Sequence, residues 1–322
     1  MNSKTRASAQ KLRGGYYTSP GVARWLCDWA IRAPSDVILE PSCGSGVFLA
    51  AAVERFTHLK VDRNRIASQL AAVEIVPAEA DAATVRLRSR LGRFAEGVVH
   101  TGDFFAWWQR SDLLFDAVIG NPPFIRYQSF PEPHRSRAMS IMEGLGLSPN
   151  RLTNIWVPFV VAAAARLREG GRLALILPAE ILQVSYAARL RKFLADRFAR
   201  LDIVTCNELF FDAEQEVVLL LAEGASKPSE NSECHVSMTE CARVSEITGC
   251  TPEALLATAQ PKTIRHDTEK WLKYFLTARE IEFMRALRNA ENVTLLSTHA
   301  SVDVGVVTGR NEFFVLSKEQ VD

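Results

Sequence analysis

Apolar residues recur along this chain in short runs, most of them closed by a small or acidic residue. Val37-Ile38-Leu39-Glu40, Leu70-Ala71-Ala72-Val73-Glu74, Val98-Val99-His100-Thr101, Phe115-Asp116-Ala117-Val118-Ile119 and Leu173-Ala174-Leu175-Ile176-Leu177 all have strand length. Runs with few polar alternates read as strands buried on both faces. Between them lie stretches of helical spacing, such as Val47 to Phe56. Strands alternating with helices from residue 36 to 222 predict an α/β fold, a parallel sheet with helices on both faces. Ile155 to Leu167 is the longest apolar run. It reads as a buried helix, because spanning a bilayer core takes about 20 residues.

The polar punctuation divides the rest. Residues 1–35 form a basic N-terminal arm with a helix within 14–32, and 36–222 form the sheet domain. Residues 223–290 form a linker and helical extension. Its first part, 223–233, is a polar linker, and 234–290 predict a short strand and two helices, including the periodic Ala278 to Arg288. Within 291–322, residues 302–316 read as a hairpin turning near Thr308-Gly309-Arg310-Asn311.

Candidate chemistry collects at the strand ends, where open α/β sheets bind ligands. The run to Glu40 is followed by Pro41-Ser42-Cys43-Gly44-Ser45-Gly46. Gly44 and Gly46 allow backbone conformations closed to other residues and let a ligand approach the main chain. A dinucleotide site would add a third glycine and place pyrophosphate on the helix end. Here that glycine is missing, and Glu40 would repel phosphate. The carboxylate suits a cationic ligand, such as the amino-acid end of S-adenosylmethionine. Glu74 closes the second strand, where acidic residues bond ribose hydroxyls in doubly wound nucleoside sites. Asp103 is placed to accept from an adenine amino group, and Phe104 to cover the adenine ring. Gly120-Asn121-Pro122-Pro123-Phe124 ends the next strand. Its prolines stiffen the exit from the sheet and cannot donate hydrogen bonds. The turn therefore offers the Asn121 amide, the Pro122 carbonyl and the Phe124 ring to a flat, amino-bearing base.

In this order the motifs resemble the gamma class of amino-methyltransferases that act on DNA adenine, most closely the methyltransferase chains of Type IIG restriction–modification and related phage-defence systems. Tyr16-Tyr17-Thr18-Ser19-Pro20 resembles the motif that closes over the methionine end of the cofactor. Residues 152–168 resemble the helix after the catalytic loop, and Gly170 to Pro178 the fifth strand. Phe210-Phe211-Asp212 resembles the loop whose aromatic stacks on the flipped base. The resemblance covers roughly residues 14–222. It implies a Rossmann-like class I α/β fold, a doubly wound mixed sheet with a small C-terminal extension, binding S-adenosyl-L-methionine and double-stranded DNA. The implied cofactor contacts are Tyr17, Thr18, Glu40, Pro41, Cys43, Gly44, Gly46, Glu74, Ile75, Asp103, Phe104 and Asn121. The implied catalytic turn is Asn121, Pro122, Pro123 and Phe124, with Phe124 and Phe211 (or Phe210) stacking on the base. Phe124 stands where many members carry Tyr. In these enzymes a segment like residues 291–322 opens the target-recognition domain, so the chain is expected to need a further recognition domain or specificity subunit. Protein-glutamine, rRNA-guanine and cytosine-N4 methylation use the same turn, and a cofactor-binding DNA subunit without turnover is a fourth reading.

Composition narrows this little. A 322-residue chain with 48% hydrophobic residues can build a large core. The six cysteines form no Cys-x-x-Cys pair, so no metal site is expected. With no apolar leader in residues 1–13, a reduced, cytoplasmic protein is the simple expectation. Net charge is only +1. Arg126, Arg135, Arg137 and Arg151 nevertheless cluster after the catalytic turn, which predicts a basic lip for nucleic acid.

Overall fold

The structure, a computed structural model, describes residues 18–149, 153–208, 216–227, 234–263 and 269–301. The chain enters through α1 (Pro20–Ala30), whose cap residue Ser19 accepts the Val22 N–H and whose first position is proline, a pairing suited to a helix start. The elements that follow are β1 (Ile38–Glu40), α2 (Val47–His58), α3 (Arg63–Ser68), β2 (Leu70–Glu74), α4 (Pro77–Leu91), β3 (Val99–Thr101), α5 (Phe104–Arg110) and β4 (Phe115–Gly120). Then come α6 (His134–Gly144), α7 (Trp156–Ala164), β5 (Leu167–Pro178), α8 (Ala188–Ala195), β6 (Phe198–Cys206) and β7 (Val217–Ala225). β8 (His235–Cys241), α9 (Val244–Thr248), α10 (Pro252–Leu256) and β9 (Lys262–Thr263) complete the first compact unit, which ends at Phe275.

The sheet has nine strands in the order β3-β2-β1-β4-β5-β7-β6-β8-β9. β1 to β5 run parallel, and β7 lies antiparallel between β5 and β6. The order reverses between β1 and β4, which register Ile38 against Ala117 and Leu39 against Val118. That reversal opens a crevice at the carboxyl strand ends. Glu40 and Asn121 both stand at its rim.

Alternation along the strands explains why both faces are apolar. Ile38, Ala72, Ala117, Ile119, Ala174, Ile176, Leu219 and Leu221 belong to one core cluster with Leu26 of α1, Phe56 of α2 and Leu87 of α4. The alternate residues Leu39, Val73, Val118, Leu173, Leu175 and Leu220 are buried on the opposite face. There α7 packs on β5 and α8 on β6. α7 is buried at all nine of its positions, as a helix apolar all round must be.

Three expectations need correcting. The helix over 155–167 stops at Ala164, and Leu167 already pairs with Phe115. A continuous apolar run does not mark where helix gives way to strand. The sheet does not end at 222: β7 continues to Ala225, and β8 pairs with β6 in parallel from Arg200↔His235 to Cys206↔Cys241. The segment 234–290 holds this seven-residue strand, the two one-turn helices α9 and α10, the short β9 and a further helix. That helix, α11 (Ala278–Arg288), belongs to the second compact unit, residues 276–322, and carries a reciprocal capping box between Thr277 and Glu280. The hairpin expected over 302–316 lies outside the described residues. Among the described residues no helix is long and apolar enough to cross a membrane.

Candidate active site

The glycine turn is held from two sides. Cys43 N–H donates to the Val73 carbonyl at 3.0 Å, and Gly44 N–H donates to Glu74 Oε2 at 2.8 Å. Glu74 Oε1 accepts the Val76 N–H at 2.8 Å. The carboxylate expected on ribose hydroxyls therefore also ties β2 to the turn. Burial raises its pKa, and these two backbone donors oppose the rise. Ile75, beside it, is exposed although apolar.

The two glycines are there for different reasons. At Gly44 (φ +51°) an added Cβ would meet nothing within 4 Å, which leaves open space along the main chain. At Gly46 (φ +80°) an added Cβ would lie 3.0 Å from Ala83 Cβ and 3.1 Å from Ala83 Cα on α4. Gly46→Ala combines a left-handed backbone with overpacking, so it should cost about 2–4 kcal/mol of stability. Gly44→Ala carries the left-handed backbone cost alone, about 1–2 kcal/mol, and should impair cofactor binding instead. Urea midpoints read together with cofactor titrations separate the two, and equal destabilisation would refute the distinction.

Glu40 is 1% exposed. Among its neighbours is the Leu49 backbone N–H in the first turn of α2, where the cap residue Gly46 has no side chain to offer. Oε2 has no hydrogen-bond partner among the described residues. Burial, and then the neighbouring Glu74 carboxylate, push the Glu40 pKa well above the usual range. A buried carboxylate oxygen without a donor beside an open glycine turn fits a cationic ligand group.

The Asn-Pro-Pro turn meets this cradle. Ser42 Oγ donates to the Asn121 carbonyl at 3.4 Å, and Asn121 Nδ2 lies 3.4 Å from Thr18 Oγ1 as donor. Thr18 and Pro122 are buried, and the Phe124 ring is half-buried against the core. Ile155 N–H donates to the Ile125 carbonyl at 2.9 Å, which fixes the exit of the turn. Beside it, Asn154 Nδ2 donates to Glu180 Oε2 and Tyr186 Oη, each at 3.1 Å. Tyr186 Oη also donates to Glu180 Oε2. Burial, and then the neighbouring Glu180, push the Tyr186 phenol pKa far up. Nothing in the sequence marks Asn154, Glu180 and Tyr186 as a set.

Asp103 caps α5, with Oδ1 accepting the Phe105 N–H at 3.1 Å. Its Oδ2 accepts from Arg137 Nη1 at 3.0 Å and lies 3.0 Å from His134 Nδ1. This corrects two expectations. The Phe104 ring is 3% exposed and stacks on Phe159 (5.2 Å, 16°) and Trp107 (6.1 Å, 22°). It is a core ring, held by aromatic neighbours on α5 and α7, so its side chain is not available to cover adenine. The basic lip is also thinner than charge counting suggests. Arg137 pairs with Asp103, and Arg135 pairs with Glu132 at 2.8 Å while lying over the Tyr127 ring. Arg126 is exposed. Tyr17, Arg151, Phe210 and Phe211 lie outside the described residues.

A parallel sheet completed by an antiparallel β7, with a glycine turn at its switch point, defines the class I S-adenosylmethionine-dependent methyltransferase fold. A protein of that description from Listeria monocytogenes superposes with a TM-score of 0.50, at 18% identity over 74% of this chain and 66% of its own. A DrdV–DNA complex superposes with a TM-score of 0.63, at 12% identity over 85% of this chain and 32% of that one. Residues 60–210 match the family described as Eco57I restriction-modification methylase. Residues 268–322 match the C-terminal domain of Type II methyltransferase M.Eco57I. Over these two segments the chain is similar to restriction–modification methylases. Type II methyltransferase M.BstVI of Geobacillus stearothermophilus is 23% identical over 97% of this chain and 61% of its own length. The chain spans about half the length of the curated relatives it matches.

Proposed function

We propose that this chain carries the catalytic part of a restriction–modification DNA methyltransferase that methylates the N6 amine of an adenine flipped out of duplex DNA. The observation that carries the reading is the convergence of Thr18, Ser42 and Asn121 at one crevice. Through it the turn that would hold the amine is bonded to the loop that would hold the cofactor. The family supports methyl transfer to DNA, and Asn as the first residue of the turn supports adenine.

S-Adenosylmethionine, when bound, supplies a sulfonium methyl group. Glu40 would hold its ammonium, the Gly44 main chain would border its methionine end, and Glu74, Ile75 and Asp103 would take the nucleoside. Asn121 Oδ1 and the Pro122 carbonyl accept the two N–H bonds of the target amine. They return electron density to a nitrogen whose lone pair is otherwise delocalised into the ring, and they favour its pyramidal form. Fixed acceptors in a site shielded from water stabilise the positive charge that develops there. The Phe124 ring stacks on the base and holds the nitrogen in line. The proton on the methylated amine leaves to water, so the chain needs no strong base.

Phe124→Tyr should keep activity within a few fold, because the ring face is retained. Phe124→Ala should lose about 1–3 kcal/mol of stacking, roughly 10- to 100-fold in kcat/KM. If Phe124→Ala instead lowers the melting point as a core truncation does, the ring is structural. The reading as a whole is tested by incubating the protein with labelled S-adenosylmethionine and separate DNA, RNA and protein acceptors, then identifying the modified base. Label in N4-methylcytosine, RNA or protein would overturn it. Recognition of a DNA sequence needs an element reading base edges. We assign that role to protein surface beyond the sheet domain, from a recognition domain or a partner subunit.

A further inference from the structure

The Asp103 carboxylate is more fully built than a helix cap requires. Its side chain is 7% exposed. One oxygen takes the Phe105 N–H, and the other faces both Arg137 Nη1 and His134 Nδ1. Both of these side chains come from α6, the first α-helix after the catalytic turn. The same two helices are joined a second time through rings: Phe105 meets Phe130 edge-on at 6.3 Å, and Phe130 lies 6.1 Å from His134. A carboxylate has about four lone-pair sites. Phe105 N–H takes one of these sites on Oδ1 and Arg137 one on Oδ2, which leaves Oδ1 with acceptor capacity for a further N–H.

We infer that Arg137 and His134 are positioning residues for the cofactor: they orient Asp103 toward the adenine amino group, and they link cofactor binding to the docking of α6 on α5. The inference rests on the placement of the nucleoside at Asp103 given above. Linkage makes it reciprocal. If α6 prepares Asp103 for adenine, bound adenine stabilises α6 by the same factor. The segment between the catalytic turn and α6 would then order on cofactor binding, before the base arrives. The rival role for Arg137 is a phosphate contact. Against it, the guanidinium already makes a charge-assisted bond to a nearly buried carboxylate, and DNA would have to displace that bond.

The test uses the full chain with S-adenosylmethionine and S-adenosylhomocysteine as probes in calorimetric titration. Arg137→Met should weaken both by about tenfold, the scale of a lost hydrogen bond to a charged group. His134→Gln should weaken them less, and Arg137→Lys should recover part of the loss. The double variant Asp103→Asn/Arg137→Met should bind no more weakly than Asp103→Asn alone. Hydrogen exchange across residues 130–144 should slow on cofactor addition in the parent and not in Arg137→Met. The salt dependence of DNA binding should be unchanged in Arg137→Met. Parental cofactor affinity in Arg137→Met, additive losses in the double variant, or a DNA salt slope reduced by about one would each overturn the inference. If Arg137→Met does not fold, the Arg137→Lys and His134→Gln affinities and exchange decide the matter. Asp103→Ala distinguishes the two levels. Unchanged affinity in that variant overturns the nucleoside placement itself, whereas weak binding there with parental Arg137→Met overturns only the role of α6.

Discussion

Asn121→Ala is expected to remove methyl transfer while leaving cofactor affinity within a few fold of the parent. The amide sits where β4 leaves the sheet, with its carbonyl bonded by Ser42 and its Nδ2 facing Thr18. The contact with Thr18 engages Nδ2, so it does not compete with the proposed role of Oδ1 as acceptor. Oδ1 is shielded from solvent, where a fixed dipole acts more strongly than it would in water. Removing one such group typically costs about 3–4 kcal/mol, roughly 10²–10³ in kcat. The cofactor's proposed anchors, Glu40, Glu74 and Asp103, are untouched by the substitution. Single-turnover methylation and calorimetry on one preparation measure both quantities. Parental turnover by Asn121→Ala would end the proposed role of this turn. A cofactor affinity that collapses with turnover would place Asn121 in cofactor binding instead.

Much of the sheet and the rim of the crevice were legible because each strand end carries a local marker. The glycines after β1, the acidic residue closing β2 and the prolines after β4 announce both the end of a strand and what stands there. Strand burial on both faces reads directly from uninterrupted runs such as Leu173 to Leu177. What failed was whatever depends on the path between elements. Phe104 follows Asp103 at a strand end, and sequence cannot say whether its ring turns to the crevice or to α7. The packed rings of Phe159 and Trp107 decide it. Arg137 counted as a surface charge until α6 folded back onto Asp103, a partner 34 residues earlier. Asn154, Glu180 and Tyr186 lie on three segments with no shared pattern, and only the approach of α7 to the end of β5 unites them. The boundary at 222 failed because a polar linker after β7 looks like the end of a domain. The sheet resumes beyond it, at β8.

Glu40→Gln is expected to stabilise the protein without cofactor at neutral pH and to weaken its hold on S-adenosylmethionine. Burial is the main reason that the Glu40 pKa stands well above its usual value, and the nearby Glu74 carboxylate adds to it. A carboxyl with a higher pKa in the fold than in the unfolded chain gives its full stabilisation below the ordinary carboxylate pKa. That contribution is lost as pH rises through the raised value. The cofactor-free protein should therefore lose stability from this group between mildly acid pH and neutrality. Glutamine cannot ionise and should flatten that part of the profile. With cofactor the balance reverses, because the proposed ammonium offsets the buried charge and glutamine offers no charge to meet it. Losing one partner of such a pair costs about 2–5 kcal/mol, so affinity should fall at least 30-fold, and the rise in melting temperature on adding cofactor should shrink. Melting curves across pH with and without cofactor, read beside a titration, test both halves together. A Glu40→Gln protein that binds S-adenosylmethionine like the parent would remove the ammonium from this carboxylate. One that melts lower than the parent at neutral pH without cofactor would show that the ionised group is already compensated within the fold.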